Sequence, residues 1–202
     1  HLGEVRLFAG RTVQPSELAD AEVLLVRSVT KVNQSLIVAC PQLKFVGTAT
    51  IGIDHIDREA LAARGIGFSS APGCNAQSVL EYVLSSLFWL TEKYQWDLHS
   101  KTVGVVGVGN IGRLVVKALQ AMGLNVLQCD PLRAAQEPYF PHLSLQQLLP
   151  QVDVLTLHVP LTRQGLWPTE QLIGPRELKQ LKPDCALINA CRGEVVDNQA
   201  LL

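Results

Sequence analysis

Short apolar runs alternate with amphipathic stretches along the 202 residues, a rhythm that predicts strands joined by helices. The apolar runs are Val5–Ala9, Val23–Val26, Leu43–Val46, Ile66–Ser69, Val103–Val108, Asn125–Cys129, Val154–Leu157 and Cys185–Asn189. Between them, helical patterns fall at Asn33–Ala39, Arg58–Arg64, Ile111–Met122, Leu145–Leu149 and Pro175–Leu181, with a helical turn at Pro15–Asp20. Strands that take turns with helices in this way pair in parallel, so the fold class is α/β. The longest helical pattern runs from a cap at Asn75 or Ser78 through Tyr94, with Ser78 and Glu81 at capping-box spacing. It is apolar over more than half its circumference, which predicts burial between domains or between subunits. After Asp130 the prolines at 131, 138 and 141 predict an irregular polar stretch.

Gln95–Lys101 reads as a linker, which divides the chain into a first domain, 1–96, and a second, 97–202. The second opens on an apolar strand that runs into Gly107-Val108-Gly109-Asn110-Ile111-Gly112 and then a helix. Each glycine answers a steric need: a tight turn, backbone approach to a pyrophosphate, and close packing of helix on strand. The phosphates then meet unpaired N–H groups and the positive end of the helix dipole. Asp130 follows the next strand, 18 residues after Gly112, where a carboxylate accepts hydrogen bonds from an adenosine ribose. An acid there favours NAD over NADP, although Arg133 stands close enough in sequence to meet a 2′-phosphate. The second domain is therefore expected to be a Rossmann-type, doubly wound parallel sheet binding NAD through Gly107, Gly109, Asn110, Ile111, Gly112 and Asp130.

A net charge of −1 without a basic stripe excludes the footprint of a nucleic-acid binder. The apolar helix around 79–90 is interrupted by Glu81, Ser85 and Ser86 and is too short and polar to span a bilayer. Five scattered cysteines, never in metal-like pairs, read as reduced cytoplasmic thiols, and no metal site is expected. The chain begins at His1 without methionine and stops at Leu202 inside what reads as the start of a helix after Asp197, so both ends are expected to be cut.

Arg27-Ser28-Val29-Thr30-Lys31-Val32-Asn33 sets two cations beside two hydroxyls at a strand end, a combination suited to a carboxylate or phosphate and equally to a solvated capped loop. Gly47-Thr48-Ala49-Thr50-Ile51-Gly52 lets backbone approach a ligand and offers the Thr50 hydroxyl. His55 between Asp54 and Asp57 lacks the companions of a metal site; Asp57 reads as a helix cap. Cys74 has no identifiable activating histidine, and His158, before Val159-Pro160, reads as a positioning or packing residue. Arg192, in a tight turn before Gly193, is placed to clamp a carboxylate and polarise the neighbouring oxygen; a surface arginine is the alternative.

Val106–Gly112, His158-Val159-Pro160-Leu161-Thr162 and Ile188–Gly193 together resemble three landmarks of the D-isomer-specific 2-hydroxyacid dehydrogenase family, in the expected order. The resemblance covers essentially the whole chain. It implies a flavodoxin-like substrate domain before the Rossmann domain, both incomplete, and NAD-dependent oxidation of a small phosphorylated 2-hydroxy acid. It also implies a homodimer as the full-length protein, with neither nucleic acid nor membrane as partner. By resemblance Arg192 is the catalytic arginine, Ser28 and Thr50 bind substrate with Arg27 and Lys31 nearby, and Val159 stands at a cofactor-contact position where threonine is common. The family's proton-transfer histidine and its glutamate would lie beyond Leu202, so residues 1–202 alone are expected to be inactive. A different 2-hydroxy acid as substrate, or a non-enzymatic NAD(H)-responsive binding role on the same fold, remain alternatives.

Overall fold

The computed structural model describes residues 3–8, 13 and 15–202. They form two compact units, His1–Cys74 and Asn75–Leu202.

The first unit carries a parallel sheet of β1 (Val23–Val26), β2 (Phe45–Thr48) and β3 (Gly67–Ser70), in that spatial order. Helices α1 (Gln34–Ala39) and α2 (Arg58–Ala63) connect them. Asn33 accepts a hydrogen bond from the Leu36 N–H and Asp57 from the Ala60 N–H, so each helix starts at a side-chain cap; Asp57 is the cap its sequence predicts, whereas Asn33, expected within its helix, caps it. Strand alternation decides which face is covered: Leu24 and Val26 join Leu36, Ile37, Val46 and Leu61 in the core, whereas Val23 and Leu25 point outward. Val26 pairs with Thr48 and Thr48 with Ser70, which places the loops after all three strands at one end of the sheet.

The expected strand at Val5–Ala9 is corrected: Val5–Phe8 form no strand and lie exposed, while Ala9 falls outside the described residues. Among the described residues the sheet runs β1-β2-β3, each strand beside its neighbour in sequence. β2 and β3 also begin later than the apolar pattern suggests. Leu43 is buried in the turn ahead of β2, while Gly47 and Thr48 are buried by pairing on both sides.

The second unit holds β4 (Thr102–Val106), β5 (Asn125–Cys129), β6 (Val154–Leu157) and β7 (Ala186–Asn189), all parallel, in the order β5-β4-β6-β7. Its helices are α3 (Ala76–Tyr94), α4 (Asn110–Ala121), α5 (Pro131–Gln136), α6 (Leu145–Leu148) and α7 (Pro175–Leu178). β4 alternates between two cores: Val103 and Val105 pack with Val83, Leu87, Val115 and Leu119, and Val106 lies with Leu148, Leu149 and Val152 on the other side. That is a doubly wound sheet. At Gly104 an added Cβ would sit 2.7 Å from both Leu148 Cδ2 and Val152 Cγ1, so the second layer closes only over glycine. Because the chain turns back at β4, the carboxyl ends of β4 and β6 flank the crevice where open α/β sheets receive ligands.

Further details differ from the sequence pattern. The stretch after Asp130 begins with a helix, α5, capped by Asp130 with Pro131 in its first turn. α3 has no side-chain cap, and it belongs to the second unit through Val83 and Leu87, so the compact division falls at Cys74/Asn75 where the sequence reading placed it at 96/97. Its Tyr82, Phe88 and Trp89 are exposed in this chain. Residues 198–201 form a turn.

Candidate active site

The three glycines after β4 meet three distinct constraints. Gly107 has φ +84°, and an added Cβ would lie 2.7 Å from the His158 carbonyl oxygen, so the turn requires glycine twice over. At Gly112 a Cβ would approach the Gly107 carbonyl oxygen to 2.0 Å, which makes the helix-to-strand packing glycine-dependent. Gly109, the N-cap of α4, has nothing within 4 Å of its would-be Cβ. Open space over a glycine at the N-terminus of a 12-residue helix fits a pyrophosphate brought against backbone. Asn110 and Ile111 form the first turn of that helix, Asn110 exposed and Ile111 packed partly on the core. Val159 closes the floor, its Cγ1 2.8 Å from the Gly107 Cβ position.

Asp130 stands at the end of β5 beside this cradle. Its Oδ2 accepts from the Val108 N–H at 2.8 Å and its Oδ1 from the Arg133 N–H at 3.0 Å. Each carboxylate oxygen retains acceptor capacity for a ribose hydroxyl. The Asp130 N–H donates to His142 Nδ1 at 3.1 Å, so His142 carries its proton on Nε2 in this arrangement. Arg133 is engaged elsewhere: Nε donates to Glu137 Oε1 at 2.9 Å and Nη1 to the Val108 carbonyl at 3.2 Å, while the guanidinium lies 4.3 Å over the Phe140 ring.

His158 follows β6. Its Nε2 lies 3.0 Å from Thr156 Oγ1, its Nδ1 is buried without a partner, and burial pushes its pKa down to about 4. A neutral, buried imidazole is a packing group here and a poor proton acceptor near neutral pH. Arg192 follows β7 in a turn held by Asn189, whose Nδ2 donates to the Arg192 carbonyl at 2.9 Å and whose Oδ1 accepts from the Cys191 N–H at 3.1 Å. The sequence pattern gave Asn189 no role; its place at the end of β7 before a turn is the signal that would have shown it.

In the first unit the loop carrying Arg27, Ser28 and Lys31 is joined to the loop of Thr50–Asp57 by a parallel bridge, Val32 to Ile56. Val32 N–H donates to His55 O and Asp57 N–H to Val32 O, both at 2.8 Å. Arg27, Ser28 and Lys31 are exposed and Thr50 is partly buried. Behind Thr50 runs a directed chain. Thr50 Oγ1 donates to the Gly52 carbonyl at 2.9 Å, so its contact with Thr48 Oγ1 at 2.7 Å takes a proton from Thr48. Thr48 in turn accepts from His55 Nε2 at 3.1 Å. His55, buried at 7% exposure, thus serves hydroxyl orientation, and among the described residues no cluster suited to a metal ion occurs. Burial also raises Cys129 and Cys185 to about 11, which leaves both thiols unreactive, and no described helix is long and apolar enough to cross a membrane.

The reversal of strand order, the glycine cradle at a helix N-terminus and a carboxylate after the next strand define a Rossmann-type dinucleotide-binding protein. Residues 80–202 match the sequence model of the D-isomer specific 2-hydroxyacid dehydrogenase NAD binding domain, and the chain belongs to that family. The erythronate-4-phosphate dehydrogenase of Escherichia fergusonii is 52% identical over 201 residues, which is 100% of this chain and 53% of the relative. The chain thus spans about half the length of the curated relatives it matches. Among solved structures, a D-lactate dehydrogenase from Aquifex aeolicus complexed with NAD and lactic acid superposes with TM-score 0.80 at 30% identity, covering 94% of this chain and 62% of that one. An NAD-bound 3-phosphoglycerate dehydrogenase of Entamoeba histolytica gives TM-score 0.80 at 26% identity, over 93% and 61%.

Proposed function

We propose that this protein oxidises the 2-hydroxyl of 4-phospho-D-erythronate to 2-oxo-3-hydroxy-4-phosphobutanoate with NAD, a step in making pyridoxal 5′-phosphate. The observation that carries the reading is an identity of 52% over 201 residues, 100% of the chain, to an erythronate-4-phosphate dehydrogenase. Bound NAD supplies the hydride acceptor. Gly107, Gly109, Asn110, Ile111 and Gly112 hold its pyrophosphate, Asp130 its adenosine ribose, and Val159 packs beneath. Arg192, in the turn fixed by Asn189, clamps the substrate carboxylate and stabilises charge on the 2-oxygen as the hydride leaves. Ser28 and Thr50 take up substrate, with Arg27 and Lys31 attracting its anionic ends. The hydroxyl proton goes to a base other than His158, whose burial lowers its pKa to about 4.

This reading assigns substrate binding to the first compact unit and cofactor binding to the second. The exposed Tyr82, Phe88 and Trp89 on α3 support a homodimer, and five free cysteines support a cytoplasmic setting. Reduced-nicotinamide absorbance with a chain of the relatives' full length, offered 4-phosphoerythronate or 3-phosphoglycerate, tests the assignment. A preference of at least a hundredfold in kcat/KM for phosphoerythronate is expected. Preference for phosphoglycerate reassigns the substrate, and turnover of neither removes the enzymatic reading.

A further inference from the structure

Arg133 lies three residues beyond the ribose-binding carboxylate, where a cation would welcome the 2′-phosphate that distinguishes NADP from NAD. Its surroundings deny it that use. Glu137, one helical turn on, accepts from Nε at 2.9 Å and from Nη2 at 2.5 Å in a two-pronged pair. Nη1 is turned to the Val108 carbonyl, and Phe140 covers one face of the guanidinium. The pairing raises the Arg133 pKa and lowers that of Glu137, in both cases chiefly through their mutual hydrogen bond. Arg113, 3.9 Å from Glu137, adds only a loose second cation.

We infer that Glu137 is a specificity-determining residue that enforces NAD by occupying Arg133 through the bidentate Arg133–Glu137 pair. The inference rests on reading Gly107–Asp130 as the dinucleotide site. A 2′-phosphate arriving at Asp130 meets two carboxylates, Asp130 and Glu137, and an arginine whose charge is already answered. NAD brings only a hydroxyl to the same place and needs nothing from Arg133. Removing the Glu137 charge leaves the guanidinium beside Asp130 with its charge no longer answered by Glu137 and one N–H donor released, and a phosphate is the ligand that suits such a group best.

Glu137→Gln keeps the side-chain length and one hydrogen-bond acceptor while deleting the charge. Calorimetric titration of the 202-residue chain with 5′-AMP and with 2′,5′-ADP isolates the adenosine half of the cofactor. The wild type is expected to favour 5′-AMP, and Glu137→Gln to shift the affinity ratio toward 2′,5′-ADP by at least tenfold, the gain shrinking as salt rises. Glu137→Gln/Arg133→Met is expected to lose that gain, which separates a freed arginine from a general change of charge. An unchanged ratio in Glu137→Gln with 5′-AMP still bound overturns the inference alone, as does a gain that survives Arg133→Met. A wild type that binds neither probe overturns it together with the cofactor reading. Where Glu137→Gln disturbs α5, seen as weaker binding of both probes, Glu137→Ser reads the same ratio, and failure of both variants to move it overturns the inference.

Discussion

Gly109 and Gly112 are three residues apart in one motif, yet alanine should harm them in different currencies. At Gly112 the new Cβ would lie 2.0 Å from the Gly107 carbonyl oxygen, where ordinary contact begins near 3.4 Å. The obstacle is backbone, so α4 and β4 must separate by more than an ångström. Overpacking of this kind costs about 1–3 kcal/mol, and a rigid target puts the cost at the upper end. Better helix propensity returns at most about 1 kcal/mol. The net loss is about 2 kcal/mol, or about 4–8 °C in Tm for a chain of this length. At Gly109 nothing stands within 4 Å, and the only structural penalty is that alanine caps a helix less well, about 0.5 kcal/mol. Its Cβ nevertheless fills the space a pyrophosphate must enter, so NAD affinity should fall at least about tenfold, equivalent to about 1.4 kcal/mol. Urea unfolding followed by calorimetric NAD titration gives both numbers for each variant, with the transition of residues 75–202 followed separately. If Gly112→Ala unfolds at the wild-type denaturant concentration, the packing argument is wrong. If Gly109→Ala binds NAD unchanged, the phosphate does not lie where the cradle implies.

Thr48→Val removes the hydroxyl that accepts from His55 and donates to Thr50 at a site only 4% exposed, so it should cost about 1–3 kcal/mol in urea unfolding, more than Thr50→Val. Equal or reversed costs would show that the chain does not run through Thr48. His158, with its pKa lowered by burial to about 4 against 6.5 unfolded, stays neutral in the fold while the unfolded chain takes up a proton. Stability from this group is therefore complete above pH 6.5 and drains as pH falls toward about 4, by roughly 3 kcal/mol. His158→Gln should flatten the slope of unfolding free energy between those pH values, and an undiminished slope would assign the loss to other groups.

What the sequence pattern could show depended on whether a constraint was local. β1, β5 and β6 coincide with their apolar runs, whose ends are marked by polar or charged residues at Arg27, Asp130 and His158. The Asp57 cap was legible because an N-cap acts within three residues. α5 was legible too, from Asp130 followed by Pro131, but the later prolines outweighed that signal. The glycine motif and Asp130 stood out because turn chemistry fixes their spacing. Long-range demands left no such mark: Gly104 is required by α6 and Val152, far along the chain, and the Thr48–Thr50–His55 chain exists only once Val32 has drawn two loops together.

The same distinction bears on how the cofactor site should be probed. Asp130 is the residue the motif singles out, and its substitution is the obvious experiment. Yet its two oxygens also hold Val108, the residue between Gly107 and Gly109, and the first turn of α5. Replacing it disturbs the cradle, the α5 cap and the ribose contact together, and a loss of binding would not say which mattered. Glu137 acts on the ribose end through its hydrogen bonds to Arg133, with Arg113 a looser neighbour at 3.9 Å. A change in NAD-against-NADP preference on altering Glu137 therefore reports electrostatics at the ribose, separate from the folding of the site around it.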